Sequence, residues 1–349
     1  MRLGVNLGYW GAGNDAENVR LAQEAERLGY SVALAAEAYG SDATTVLAWV
    51  GAQTSRIDLL AAIFQIPARA PTMTAMTAAT LDTLTGGRFR LGLGVSGPQV
   101  SEGWYGVRFA APLERTREYV EIVRMALSRE RVSFHGRHYQ LPLPDGPGKP
   151  LKLIVHPARE HIPLYLAAIG PRNLELTGEI ADGWLAIFFS PEHGDELLSQ
   201  IRSGRERAGK QMDDFDVVAT APTVLGDDVD ACADVLRGHS ALYVGGMGSR
   251  EQNFYNALAC RMGYEREAAE IQDKYLAKDY QGAMAAVPVD FIDKTSLLGP
   301  VDRMADRMRA YADAGVGMLA IAAHAPAYDQ RLATLRAAAE ALDRAGVGD

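Results

Sequence analysis

Gly92-Leu93-Gly94-Val95-Ser96-Gly97 is the stretch on which the fold turns. It closes a strand-like run, Arg88 to Val95, and its spacing matches the G-x-G-x-x-G of a dinucleotide-binding turn. Such a turn belongs to the first βα unit of its fold and opens a helix whose N–H groups receive a phosphate. Here the following residues, Pro98-Gln99-Val100-Ser101-Glu102-Gly103-Trp104-Tyr105-Gly106, show no helical period, and the unit is the fourth in chain order. The stretch therefore reads as a glycine-rich buried strand, ending in a loop that a flat ligand can approach closely.

Outward from it, short apolar runs alternate with amphipathic stretches. The strand-like runs are 2–8, 31–36, 57–66, 88–95, 164–169, 184–189, 216–224 and 318–323. Each is nearly continuously apolar, as parallel strands buried on both faces are. Helices are expected over 42–54, 71–85 and 172–181, after Pro112, and between Pro300 and Gly315. Eight βα units in one chain are the signature of an α/β fold, the (β/α)8 TIM barrel; a doubly wound open sheet is the other arrangement to weigh. The alternation breaks twice. Residues 131–160 carry five prolines and little periodicity, and about 240–298 mixes helical pieces with Val244-Gly245-Gly246-Met247-Gly248. Both read as insertions in one barrel domain spanning 1–349.

With 349 residues, 48% of them apolar and 23% charged, the chain has the composition of a folded globular protein. Its 35 Lys plus Arg against 44 Asp plus Glu leave a net charge of −9. That balance argues against a nucleic-acid or membrane-surface partner. Cys232 and Cys260 give neither a disulfide framework nor a metal-type spacing. No apolar run approaches the ~18–20 residues of a membrane span. No secretory signal region precedes the first strand, so a reducing cytoplasm is expected.

In such barrels the chemistry sits at the carboxyl ends of the strands. Those positions hold Tyr9 and Trp10, then Glu37, Tyr39 and Asp42, then Gln65 with Arg69 beyond. Next come Ser96 and the Glu102, Trp104, Tyr105 cluster; Gly170-Pro171-Arg172-Asn173; Ser190; and finally His324. The set is rich in aromatics and amides but poor in metal ligands, and no serine carries a G-x-S-x-G elbow. It suits a planar aromatic ligand better than hydrolysis. Glu37 either pairs with a nearby Arg or acts chemically. His324 at an ordinary pKa would suit proton transfer. Arg172, opening a helix after a Gly-Pro turn, could hold a phosphate together with free main-chain N–H groups. His135, His138, His156 and His161 share no metal spacing and read as solvated.

Five segments in register resemble the bacterial luciferase-like superfamily, in its branch that uses the deazaflavin coenzyme F420. They are Ala36-Glu37-Ala38-Tyr39-Gly40-Ser41-Asp42, Ile63-Phe64-Gln65-Ile66-Pro67-Ala68-Arg69-Ala70-Pro71-Thr72, Gly86 to Pro98, Ala167-Ala168-Ile169-Gly170-Pro171, and Ala181-Asp182-Gly183-Trp184. The resemblance implies a (β/α)8 barrel with insertions. It also implies a non-prolyl cis peptide in a bulge of strand three, here Ala62–Ile63, against the face of the deazaflavin ring, with Gln65 beside it. Ser96, Gly97 and Gly170-Pro171-Arg172-Asn173 would hold the phosphate, and Arg69 and Arg172 would meet the acidic tail. Similar enzymes often dimerise through helices beside strands two to four, so a homodimer is expected.

The chain departs from that pattern in two places. Relatives carry an Asp-His pair after strand two where Glu37-Ala38 stands, and a Glu where Pro98 stands. A proton donor would then come from Glu37, His324, Tyr105 or the substrate itself. Trp104, Tyr105 and the 240–260 segment are expected to wall the substrate side. The activity implied is hydride transfer between deazaflavin C5 and a small, hydrophobic alcohol/ketone or enone. An FMN-dependent monooxygenase on the same barrel, or a non-catalytic deazaflavin carrier, are the alternatives.

Overall fold

A computed structural model describes residues 1–10 and 15–348. Eight strands form the barrel: β1 (Arg2–Asn6), β2 (Val32–Ala35), β3 (Asp58–Ala61), β4 (Phe89–Gly94), β5 (Leu164–Ala167), β6 (Gly183–Ile187), β7 (Asp216–Leu225) and β8 (Met318–Ala323). Every neighbour in that order pairs in parallel, and β8 pairs with β1, so the cylinder closes and no open sheet remains. Closure is what lets these runs be apolar on both faces. Val32, Leu34, Leu60, Val218, Met318 and Ala320 fill the inside, while a larger cluster packs the outer faces against the helices. The helices Pro71–Leu84, Pro112–Leu127 and Pro171–Ile180 each open on proline, whose missing N–H is no loss in a first turn.

The amino end of the cylinder is sealed by charge, which hydropathy patterns do not reveal. Arg90 donates to Asp58 at 2.8 Å and to the Tyr165 hydroxyl at 2.8 Å. Tyr165 donates in turn to Asp216 at 3.0 Å, and Arg2 reaches Asp216 at 2.8 Å. Each of these residues lies at or near the start of its strand, so the network closes the floor and leaves the opposite end for a ligand.

Three expectations need correcting. The run 57–66 is not one strand: β3 ends at Ala61, Ala62 and Ile63 bulge out, and Phe64–Gln65 then pairs with β4 opposite Leu93 and Gly94. A short helix, Pro98–Gly103, does follow Gly97 despite its lack of apolar period, because most of it is exposed and only Ser101 needs burying. The segment 131–160, read as irregular, also carries structure, whereas the helical pieces expected over about 240–298 are present. Phe134–His135 pairs antiparallel with Gln140–Leu141, and the later segment folds into four helices, Phe254–Arg261, Glu265–Leu276, Tyr280–Ala285 and Val289–Lys294. It ends in a strand, Leu297–Gly299, beside β7.

The glycines of β4 make room for the bulge. A Cβ on Gly92 would lie 1.9 Å from the Ala61 carbonyl oxygen, and one on Gly94 would lie 2.3 Å from Ile63 Cδ1. Main chain cannot yield as a side-chain tip can. Gly92→Ala is thus expected to destabilise by about 3 kcal/mol or to block folding, with Gly94→Ala milder. In urea unfolding the control Gly103→Ala, which meets nothing within 4 Å, should stay within about 0.5 kcal/mol of the parent.

Candidate active site

A cavity of about 1140 Å³ opens at the carboxyl ends of the barrel strands, large enough for a drug-sized or cofactor-sized ligand. One arc of its wall comes from β3, β4 and β5. Ala62, Ile63 and Gln65 of the bulge line it, followed by Ser96 and Gly97 after β4, and by Gly170, Pro171, Arg172 and Asn173 after β5. The Ala62–Ile63 peptide bond is cis, and Ser96 turns the chain away with a positive φ of 61°. The opposite arc, from β7 and β8, carries His239, Leu242, Tyr243, Tyr255 and His324.

Glu37, at the end of β2, reaches the cavity but is tightly held. Its carboxylate receives both Arg69 guanidinium nitrogens, the Ala43 N–H at 3.0 Å and the Gln65 N–H at 3.3 Å. Arg69 also donates to Asp42 at 2.6 Å and lies 4.6 Å above the Phe64 ring. The reading of Glu37 as half of an ion pair thus describes its setting. Arg69, spent on two carboxylates and absent from the cavity wall, is not placed to meet an anionic tail. Gln65 is almost completely buried. Its amide Nε2 donates to the Glu37 carbonyl at 2.8 Å, while its Oε1 has no hydrogen-bond partner among the described residues, at the wall of the cavity.

Tyr105 is also out of position. Its hydroxyl donates to the Ala38 carbonyl at 2.8 Å and it does not line the cavity; Trp104 lies mostly exposed outside it. At the phosphate-suited turn, Asn173 N–H closes onto the Gly170 carbonyl at 2.9 Å. The Asn173 amide, expected with that of Arg172 to be free for a phosphate, is thus taken, and the Arg172 amide is left. The Arg172 side chain is exposed and, among the described residues, makes no ion pair.

The aromatic wall has its own construction. The helix Val229–Ala241 widens into a single π turn, Leu242–Gly246, which carries Tyr243. Tyr243 stands edge-on to Tyr255 at 4.9 Å, and Phe188 packs behind both at 5.5 and 6.2 Å. Gly245 and Gly246 are required because Tyr275 lies where their Cβ atoms would be, its own Cβ at 2.6 Å from the first and its ring at 2.3 Å from the second. His239 and His324 face each other with ring centroids 5.2 Å apart. Burial, with His324 adding to it, lowers His239 to about 4; burial also lowers His324. His324 thus lacks the ordinary pKa assumed from sequence, and His239 was not anticipated at all, since it sits on a helix rather than at a strand end.

Of the histidines read as solvated, His135, His156 and His161 are exposed, the last two also meeting Arg129 at 2.9 Å and Asp182 at 3.0 Å; only His138, half-buried against Glu114 at 3.0 Å, departs from that reading. No metal-binding cluster occurs among the described residues.

Removing Arg69 would leave the Glu37 carboxylate buried without its counter-charge. Arg69→Met should destabilise by about 3 kcal/mol in chemical denaturation, and adding Glu37→Gln should restore part of that loss. A double variant no more stable than Arg69→Met would show that the pair carries no such coupling.

Comparison with known proteins bears on this geometry. The profile of the family described as luciferase-like monooxygenase matches residues 10–318. A protein of Mycobacterium tuberculosis (strain ATCC 25618 / H37Rv), named a coenzyme F420-dependent oxidoreductase, is 43% identical over 342 residues, covering 96% of this chain and 99% of its own. The structure of the coenzyme F420-dependent tetrahydromethanopterin reductase from Methanopyrus kandleri superposes with a TM-score of 0.82 at 24% identity over 97% of each chain. An F420-dependent secondary alcohol dehydrogenase, solved with an F420-acetone adduct, gives 0.78 at 16% identity over 97% of this chain and 99% of that one. Both share the fold. By the extent of the profile match and the identity to its mycobacterial relative, the chain belongs to the luciferase-like monooxygenase family.

Proposed function

We propose that the protein is a coenzyme F420-dependent oxidoreductase acting on a small, apolar alcohol/ketone or enone. The observation that carries this reading is the contrast between the two arcs of the cavity. The β3–β5 arc offers main chain at Ala62, Ile63, Ser96 and Gly97, one unpartnered buried acceptor, Gln65 Oε1, and a helix start beside Arg172. The other arc is aromatic and imidazole-bearing.

These residues fit a deazaflavin. Ala62 and Ile63 would back the flat ring, and Gln65 Oε1 would accept from a ring N–H. The Arg172 amide and guanidinium, at the amino end of the helix Pro171–Ile180, would hold a phosphate, with Gly170 leaving the approach open because nothing lies within 4 Å of its missing Cβ. When bound, the coenzyme supplies hydride exchange at C5. The chain's part is to orient, to exclude water with Leu242, Tyr243 and Tyr255, and to hold the substrate's apolar body against them.

The relative at 43% identity is named F420-dependent, which supports the choice of coenzyme. The two free thiols fit a reducing cytoplasm, and no described helix is long and apolar enough to cross a membrane. Exposed Trp49, Met73, Met76 and Leu84, on the contacting helices Ala43–Gly51 and Pro71–Leu84, together with Ile154, fit a homodimer contact.

Fluorescence titration with oxidised F420 and, separately, with FMN tests the coenzyme. F420 should bind at least about tenfold more tightly, a difference of about 1.4 kcal/mol. Arg172→Ala should weaken F420 by about tenfold, as expected for loss of a charge-assisted contact. The opposite preference, with oxygen consumed by reduced FMN, would make the protein a flavin monooxygenase. For assembly, sedimentation should give a dimer that Met76→Lys converts to monomer; a parent sedimenting as monomer at micromolar concentration contradicts this contact.

A further inference from the structure

Two imidazoles line the cavity without a protein partner. His324 follows the last residue of β8, and His239 comes from the helix Val229–Ala241 across from it. Among the described residues neither ring nitrogen pair has a hydrogen-bond partner, although every other histidine does apart from the exposed His135. Both residues are half-buried, so their ring N–H and N: groups remain open to a ligand in the cavity. Their open side is the cavity, which also receives Gln65 Oε1 from the opposite arc.

We infer that His239 and His324 together hold the oxygen of a secondary alcohol, or of its ketone, and exchange the hydroxyl proton with it. The inference rests on the oxidoreductase reading above and narrows it from alcohol/ketone or enone to the carbonyl couple. In the oxidising direction the carbinol C–H bond breaks and its electron pair passes with the hydrogen to the deazaflavin, the oxidant. The O–H bond pair becomes the second C–O bond, and the proton goes to one imidazole. In the reducing direction the same proton returns to the alkoxide oxygen. A lone imidazole would suffice for either transfer; the second holds the oxygen by an N–H and limits the pair to one proton, since two positive rings at this distance repel.

The surroundings keep both rings neutral between turnovers. Tyr243, 4.7 Å from His239, Tyr255 behind it and Tyr9, which follows β1 and lies near both, are the other titratable groups on this side; burial pushes all three phenols up, Tyr255 to about 12. Phe188 and Phe291 close the rear of the wall. Glu37, from β2, is engaged by Arg69, and Arg331, from the helix Tyr328–Ala345 that follows His324, is engaged by Glu17 and Asn18. No carboxylate among these therefore stands ready to hold an imidazolium against the burial that lowers both pKa values.

The first test needs no coenzyme. In the ¹⁵N-histidine NMR spectrum of the coenzyme-free protein, two imidazoles should titrate below 6.5, one of them at about 4. His324→Gln should raise the midpoint of the one that remains, and cyclohexanone should shift these two signals and spare the other five of the seven histidines. Ordinary midpoints, or signals indifferent to cyclohexanone, overturn the pair.

The second test uses F420-loaded protein. His239→Gln and His324→Gln should each bind F420 as the parent does, yet lower kcat with cyclohexanol by about 100-fold and lose the acidic limb of the pH profile. Variants that bind F420 normally and keep kcat within about threefold, with the pH profile intact, overturn the pair while leaving the coenzyme reading in place. Turnover of cyclohexenone but not of cyclohexanol overturns the narrowing to a carbonyl couple. A parent that fails to bind F420 instead refutes the function proposed above, and the coenzyme-free titration still decides whether the imidazoles act as one unit.

Discussion

The carboxylate of Glu37, gripped by a guanidinium and two main-chain N–H groups, organises the ligand end of the barrel. A carboxylate so far withdrawn from water is tolerable only if all its acceptor sites are filled, so its partners cannot drift independently. Those partners are the first residue of the helix Ala43–Gly51, the resumed strand at Gln65, and Arg69 beyond it. One charged group thereby locks β2 to the segment that re-enters the sheet after the bulge. The same lock fixes Gln65, whose amide nitrogen is tied to the Glu37 carbonyl and whose oxygen is left facing the cavity.

The cylinder was legible because parallel strands in a closed barrel are apolar on both faces and separated by helices of a different period. Seven of the eight runs became strands with ends within a residue or two of those expected, and the eighth, 57–66, became the strand Asp58–Ala61 with a break before Phe64–Gln65. What stayed illegible was governed by main-chain packing. Nothing in the side chains of 57–66 announces that the strand breaks after Ala61, and the clue lies across the sheet, where Gly92 leaves space for the Ala61 carbonyl. The G-x-G spacing that imitates a nucleotide turn is thus a packing requirement of a neighbouring strand. The floor of Arg2, Asp58, Arg90, Tyr165 and Asp216 was hidden for a similar reason, since each charge looks like a strand border until the cylinder brings them together.

At the site, strand-end reasoning found the β3–β5 arc because those residues are fixed by the barrel's own register. It failed where a side chain's direction, rather than its position, decides the matter. Arg69 and Tyr105 lie close by in sequence terms, yet one turns back to Glu37 and the other to the Ala38 carbonyl. His239 was missed because it belongs to a helix, outside any strand end, whereas the expectation that the 240–260 segment walls the cavity matches Leu242, Tyr243 and Tyr255. The glycine pair at 245–246 was visible, but its meaning depends on Tyr275, thirty residues on, which packs where a Cβ would stand.

The wall built from the π turn and the helices after it is joined to the barrel mainly by side-chain packing, whereas the β3–β5 arc is stitched into the sheet by backbone hydrogen bonds. Drift in the first can therefore reshape what is recognised without disturbing how the redox partner is seated. A lineage built this way can diversify its chemistry by editing one removable panel, with the rest of the machine inherited intact.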